Sequence, residues 1–100
     1  MKTGIELIAI ERQEQIEKHG RTVELDALTN SDYELAQAAR MLITNDEEMS
    51  TRDLLVALTG LKYWDQSILE KMDNKPYKEK LVIAGALIAA EIDRLNFIGA

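Results

Sequence analysis

The sequence predicts an all-α fold: a bundle of four or five helices, oligomeric through an apolar C-terminal helix. Three observations carry that expectation. Strong helix formers dominate, and the chain holds a single proline, Pro76. Apolar residues recur at helical rather than strand spacing, most plainly at Leu35, Ala38, Ala39 and Leu42. The stretch Leu81–Ala90, "LVIAGALIAA", is apolar around its whole circumference, as in a central helix or one covered by a second subunit. At 100 residues the chain reads as one domain, 1–100, able to bury roughly two-thirds of its unfolded surface.

The first helix is expected from Thr3 or Gly4 to His19, with Gly20 suited to its left-handed C-terminal cap. Residues 21–29 read as a loop, in which "VELDAL" has room for a short turn. Ser31 followed three residues later by Glu34 has the pattern of a capping box opening the second helix. After the acidic connector "NDEEM", Ser50 and Asp53 repeat a similar pattern ahead of a third helix through Leu54, Leu55, Leu58 and Leu61. Gly60 weakens the later part of that helix, and Asp65 is suited to cap a short turn through Met72. "MDNKPYKEK" is the clearest break. Proline disfavours helical geometry at Lys75 and itself suits a helix start, so the last helix is expected from about Pro76 to Asn96.

Composition excludes several functions. There is no cysteine, so disulfides, thiolate zinc sites and cysteine catalysis are absent. The net charge of −6 opposes a grip on duplex DNA or RNA, which takes clustered Lys and Arg. The longest apolar run falls well short of the roughly 18 residues a membrane span needs. Glu6 and Glu11 interrupt the N-terminal apolar residues, so no secretory signal is read and a cytoplasmic location is expected. Small nucleotides stay open as ligands, since carboxylates can hold phosphate through bridging Mg²⁺.

Helical wheels sort the charges. On the first helix Ile5, Ile8, Ala9 and Ile16 form a stripe with Arg12 in its middle. Glu14 and Glu17 fall on the far side, and Glu11 lies toward one edge. On the second helix Glu34 borders the apolar stripe beside Met41, while Tyr33, Gln37 and Arg40 face away. On the last helix Glu91 shares a side with Ala84, Leu87 and Leu95, and Ala84, Gly85, Ala86, Ala89 and Ala90 let a neighbour approach closely. An ionised carboxylate there needs a partner, because its desolvation costs several kcal/mol. Arg12, Glu34 and Glu91 are thus the inward-leaning polar groups. They suit either a structural salt bridge, such as Arg12 with Glu91, or a carboxylate cluster holding a divalent cation, with Glu11 and Glu14 as added ligands. His19, the only histidine, ends a helix and reads as a favourable charge against its dipole. Tyr63 and Trp64 read as core or interface anchors, with stacking of a nucleobase left open there.

"ERQEQIEKHG", "ELAQAARML", "YWDQ" with "NKPY", and above all "AGALIAAEIDRL" follow one another in an order that resembles a group of small phage and bacterial proteins. That group is related to the MazG-like, all-α nucleoside triphosphate pyrophosphohydrolases. The resemblance covers most of the chain and is most specific in the C-terminal block. It implies a Mg²⁺-dependent hydrolase that converts a nucleoside triphosphate to monophosphate and pyrophosphate, working as a homo-oligomer. It places Glu11 at the first acid of the "ER.RQ" block, Asp26 in the following loop, Glu34 in the "ELA" block and Glu91 in "AEI.RL". On that basis Glu11, Glu14, Glu34 and Glu91 are metal candidates, Glu34 and Glu91 catalytic candidates, and Arg12 and Lys80 phosphate contacts.

The chain departs from the group at four positions. Where the group reads "DLVKAGALI" this chain reads "KLVIAGALI", so Lys80 replaces an acid and Ile83 a lysine. Where the group often reads "EHDD", Leu25 and Ala27 stand in "ELDA". A cation in place of an acid beside a metal ion weakens its binding. Two further expectations stand beside hydrolysis, and the departures motivate the first of them. One is a non-catalytic helical oligomer that binds a nucleotide or a protein partner. The other is an assembly protein with a buried Arg–Glu bridge.

Overall fold

A computed structural model describes residues 1–31, 33–43, 71–72 and 74–99. The described residues form four helices: α1 (Gly4–His19), α2 (Val23–Thr29), α3 (Glu34–Ile43) and α4 (Tyr77–Ile98). The expected third helix, with its Ser50–Asp53 cap, Gly60, Tyr63, Trp64 and Asp65, lies outside the described residues.

α4 is the central element, since α1, α2 and α3 all pack against it. Its Ile83, Ala84, Leu87 and Ala90 meet Leu35, Ala38, Ala39, Met41 and Leu42 of α3 and Met72 in one apolar core, and Ala86 is buried as well. Small residues bring the helices close. At Gly85 even a Cβ would fall 2.5 Å from Ile8 Cδ1, so the close approach expected of this stretch is made by α1. None of the described helices is long and apolar enough to cross a membrane.

Local chemistry sets the ends of α1. Thr3 Oγ1 accepts from the Glu6 N–H, and the Glu6 carboxylate accepts from the Thr3 N–H, at 3.2 and 3.0 Å. The Thr3 backbone N–H first, and then the Thr3 hydroxyl, hold the Glu6 carboxyl below its ordinary pKa. At the other end Gly20 takes φ 64°, and its N–H donates to Gln15 O. Gly99 closes α4 in the same conformation, φ 80°.

The structure corrects three expectations. Residues 23–29 are a helix rather than a loop, capped by Thr22, whose Oγ1 accepts from the Leu25 N–H at 3.3 Å. Ser31 does not cap α3, which begins at Glu34 after Tyr33 turns into the left-handed region at φ 65°. The Tyr33 carbonyl accepts the first helical bond, from Gln37 N–H at 2.9 Å. The buried side of α1 is also rotated from the apolar stripe. Gln15 is buried and Ile8, Glu11, Arg12 and Ile16 are half-buried, whereas Ile5 and Ala9 are exposed. The physical reason is that α1 meets polar partners on α4 and on the 20–30 segment.

Candidate functional site: a buried acid–arginine layer

Glu91 sits on the buried face of α4, one turn beyond Leu87. Its partner is Arg94 on the same helix, with Nε donating to Glu91 Oε1 at 2.5 Å. Both side chains are buried, so each neutralises a charge that water cannot reach. Glu91 holds the Arg94 guanidinium above its ordinary pKa, and the nearby Glu34 and Tyr33 act in the same direction. The two carboxylates marked as inward from sequence, Glu34 and Glu91, are thus buried and act on one arginine.

The expected Arg12–Glu91 bridge is not the pairing found. Arg12 donates from Nη2 to Asp93 Oδ2 at 3.3 Å and from Nη1 to the Arg21 carbonyl at 3.2 Å. Asp93 lies about 200° around the helix from Glu91, so Arg12 meets a different flank of α4. Arg12 Nε is buried and has no hydrogen-bond partner among the described residues.

Asp26 is the most buried acid of the described residues, at 1% exposure. The short helix α2 carries it inward. Asn30, one turn on, donates from Nδ2 to Asp26 Oδ1 at 2.9 Å, while Oδ2 has no partner among the described residues. Burial raises the Asp26 pKa, against the lowering effects of Asn30, Arg12 and Arg21, and Glu91 adds to the rise. Arg21 is in turn desolvated, which lowers its pKa, while Asp26 and Glu11 favour its charge.

Glu11 completes the layer. It accepts from Gln15 Nε2 at 3.4 Å, and burial, then the neighbouring Glu14, raise its pKa. Glu14 is half-buried and pairs with Lys18 at 3.8 Å, while Glu17 is exposed and accepts from Gln13 at 2.7 Å. Of the three stacked acids on α1, Glu11 is the one joined to the layer. Lys80 lies in the first turn of α4, eleven residues before Glu91 and so about 16 Å from it along the axis. His19 is exposed in the last turn of α1.

Four members escaped sequence reasoning as inward groups: Gln15, Arg21, Asp26 and Arg94. Arg94 had a visible signal, since it continues the Ile83, Leu87, Ala90 spacing. Asp26 had a weaker one, in Thr22 as a cap and Asn30 four residues on.

The carboxylate oxygens are the donors a hard cation takes. Among the described residues, however, no three His, Cys, Asp or Glu side chains gather as a metal-ligating group. On the outer side of Arg12 an open cleft of about 600 Å³ lies between α1, the start of α2 and the end of α4. No family model, no curated protein and no solved structure matches this chain.

Proposed function

We propose that this chain handles nucleotides, in the manner of the all-α triphosphate pyrophosphohydrolases it resembles, and that the acid–arginine layer is its working centre. Asp26 carries the reading. A layer that only joined helices would be expected to engage both carboxylate oxygens, because an unpaired buried acceptor costs about 1–3 kcal/mol. Among the described residues Asp26 Oδ2 is buried without a partner, beside two arginines and a second buried acid. Desolvated ionisable groups of opposite sign are what phosphate chemistry uses: guanidinium N–H groups for phosphate oxygens, carboxylates for water or a cation.

Arg12 and Arg21 are the phosphate-facing candidates in this reading, and Glu11, Asp26, Glu34 and Glu91 the acids. A bound Mg²⁺ would neutralise phosphate charge. The described residues do not by themselves make a metal centre: Glu91 is committed to Arg94 and Glu14 to Lys18. Mg²⁺ therefore enters as a variable of the test. Ile83, where the resembling group carries lysine, is buried in the apolar core, which favours binding over turnover in this chain.

The test is a panel of ribo- and deoxynucleoside triphosphates, with and without Mg²⁺, read by melting shift and by pyrophosphate release. Release that disappears in Glu34→Gln or Glu91→Gln, with folding retained, supports hydrolysis. Stabilisation without release supports a binding module. If neither occurs, the layer is structural and the proposal fails.

A second reading concerns assembly. Leu81, Ile88 and Ile92 fall within about 40° of one another around α4. They remain 41%, 47% and 53% exposed. This outer stripe is the face through which the chain would pair with a second copy. Sedimentation of the native chain against Ile92→Lys tests it, since a charge on a covered stripe would leave a monomer.

A further inference from the structure

The open cleft beside the acid–arginine layer is a separate feature, touching that layer only through Arg12. It is lined by Arg12, Ile16 and Thr22, by Val23 and Glu24 of α2, and by Asp93, Asn96 and Phe97 of α4. Its charges are unequal in availability. Arg12 is the one cation among these lining residues, and it already serves Asp93 and the Arg21 carbonyl. The Glu24 carboxylate is exposed, and neither Glu24 nor the Asn96 side chain makes a hydrogen bond or ion pair among the described residues.

Two further observations give the cleft a sign. Its α4 wall is the last turns of a 22-residue helix, the end where the backbone dipole is negative, and no basic residue lies in that last turn. Phe97 stands in the wall with more than half its surface open, a face that attracts cations by its quadrupole. Ile16 and Val23 supply apolar surface for a hydrocarbon stem. An anion would meet Glu24, Asp93 and the helix C-terminus together.

We infer that this cleft binds an organic cation on an aliphatic stem, an alkyl-guanidinium or alkyl-ammonium group. The head lies over Phe97 on the side of Glu24 and the Asn96 side chain, and the stem lies along Ile16 and Val23. The same chemistry is offered by a free small molecule or by an arginine or lysine side chain of a peptide.

The test is a titration of the full chain followed by amide NMR shifts of Val23, Asn96 and Phe97. The probes are N-acetyl-arginine N-methylamide, its citrulline counterpart of the same shape without charge, and a blocked Gly-Arg-Gly peptide. The arginine probe is expected to shift the cleft amides. The citrulline probe should bind at least about threefold more weakly, and Phe97→Ala and Glu24→Gln should each weaken the arginine probe about threefold. Both side chains are exposed, so the variants should fold. Equal binding of peptide and single amino acid points to a small-molecule cation, and tighter peptide binding to a protein partner. Equal response to citrulline, or shifts indifferent to Phe97→Ala, overturns the inference. Nucleotide binding and turnover are read by separate assays, so failure here leaves the acid–arginine proposal standing.

Discussion

Ile8 occupies the space that a side chain at position 85 would need: a Cβ built on Gly85 lies 2.5 Å from Ile8 Cδ1 and 2.8 Å from Cγ1. Gly85→Ala brings two opposed effects. Alanine favours the helix by about 1 kcal/mol, whereas overpacking costs about 1–3 kcal/mol. Because Cγ1 sits near the Ile8 backbone and cannot swing clear, the second effect wins. The expected result is a net loss of about 1 kcal/mol in urea denaturation. In an Ile8→Val background, where the nearest atom is gone, the loss should be smaller.

Arg94 and Glu91 are each other's neutralising partner in the core, and the structure sets an order among their variants. Arg94→Leu leaves the Glu91 carboxylate buried and uncompensated, which costs about 3–5 kcal/mol. Glu91→Gln keeps an acceptor for Arg94 and should cost less. Replacing both by Leu should recover much of the single-mutant loss, giving a coupling that a double-mutant cycle measures directly. An additive result would mean that the two side chains do not share an environment.

Those contrasts also show what sequence could reveal. The ends of α1 were legible because Thr3, Glu6 and Gly20 act within a turn of themselves. The α3 stripe was legible because Leu35, Ala38, Ala39 and Leu42 meet an equally apolar face of α4. The buried side of α1 was not, because the apolar stripe on a wheel includes Ile5 and Ala9, which the structure leaves exposed. Which face turns inward was decided by Arg21 and Asp93, distant polar residues that no local pattern reports. α2 was missed for a related reason. Seven residues are too few to hold a helix by propensity, and its support is tertiary, from packing on α4 and the buried Asp26–Asn30 bond. Glu34 and Glu91 were legible as inward acids, while the partner of Glu91 was not. Arg12 drew attention through its place in an apolar stripe, yet Arg94 was the nearer cation.

Tyr33 adopts φ 65° while 68% exposed, a conformation costing an L-residue with a bulky side chain roughly 1–2 kcal/mol. Nothing apolar is gained by burying its ring. Tyr33→Asn, which tolerates this region, should stabilise the fold by about 0.5–1 kcal/mol. Tyr33→Val, branched at Cβ, should destabilise it. Urea midpoints of the pair give the sign, and a common sign for both variants would remove the backbone explanation.

Burial raises the pKa of Asp26 and of Glu11, and the sign of the resulting pH dependence follows. An acid whose folded pKa lies above its unfolded value binds its proton more tightly when folded. Its contribution is therefore fully present below the unfolded carboxylate range, about pH 4, and is lost as pH rises through the folded pKa. From these two groups stability should fall as pH rises from about 4 toward neutrality, the reverse of a salt-bridged carboxylate. Asp26→Asn removes the larger part, since Asp26 is the more buried of the two, and keeps an acceptor for Asn30. It should flatten the decline and leave the protein more stable than native at pH 7. Urea midpoints of both proteins at several pH values check this. A native chain whose stability climbs over the same interval, with Asp26→Asn following it in parallel, would mean that Asp26 is ionised and satisfied in the fold. The orphaned oxygen on which the functional proposal rests would then have a partner.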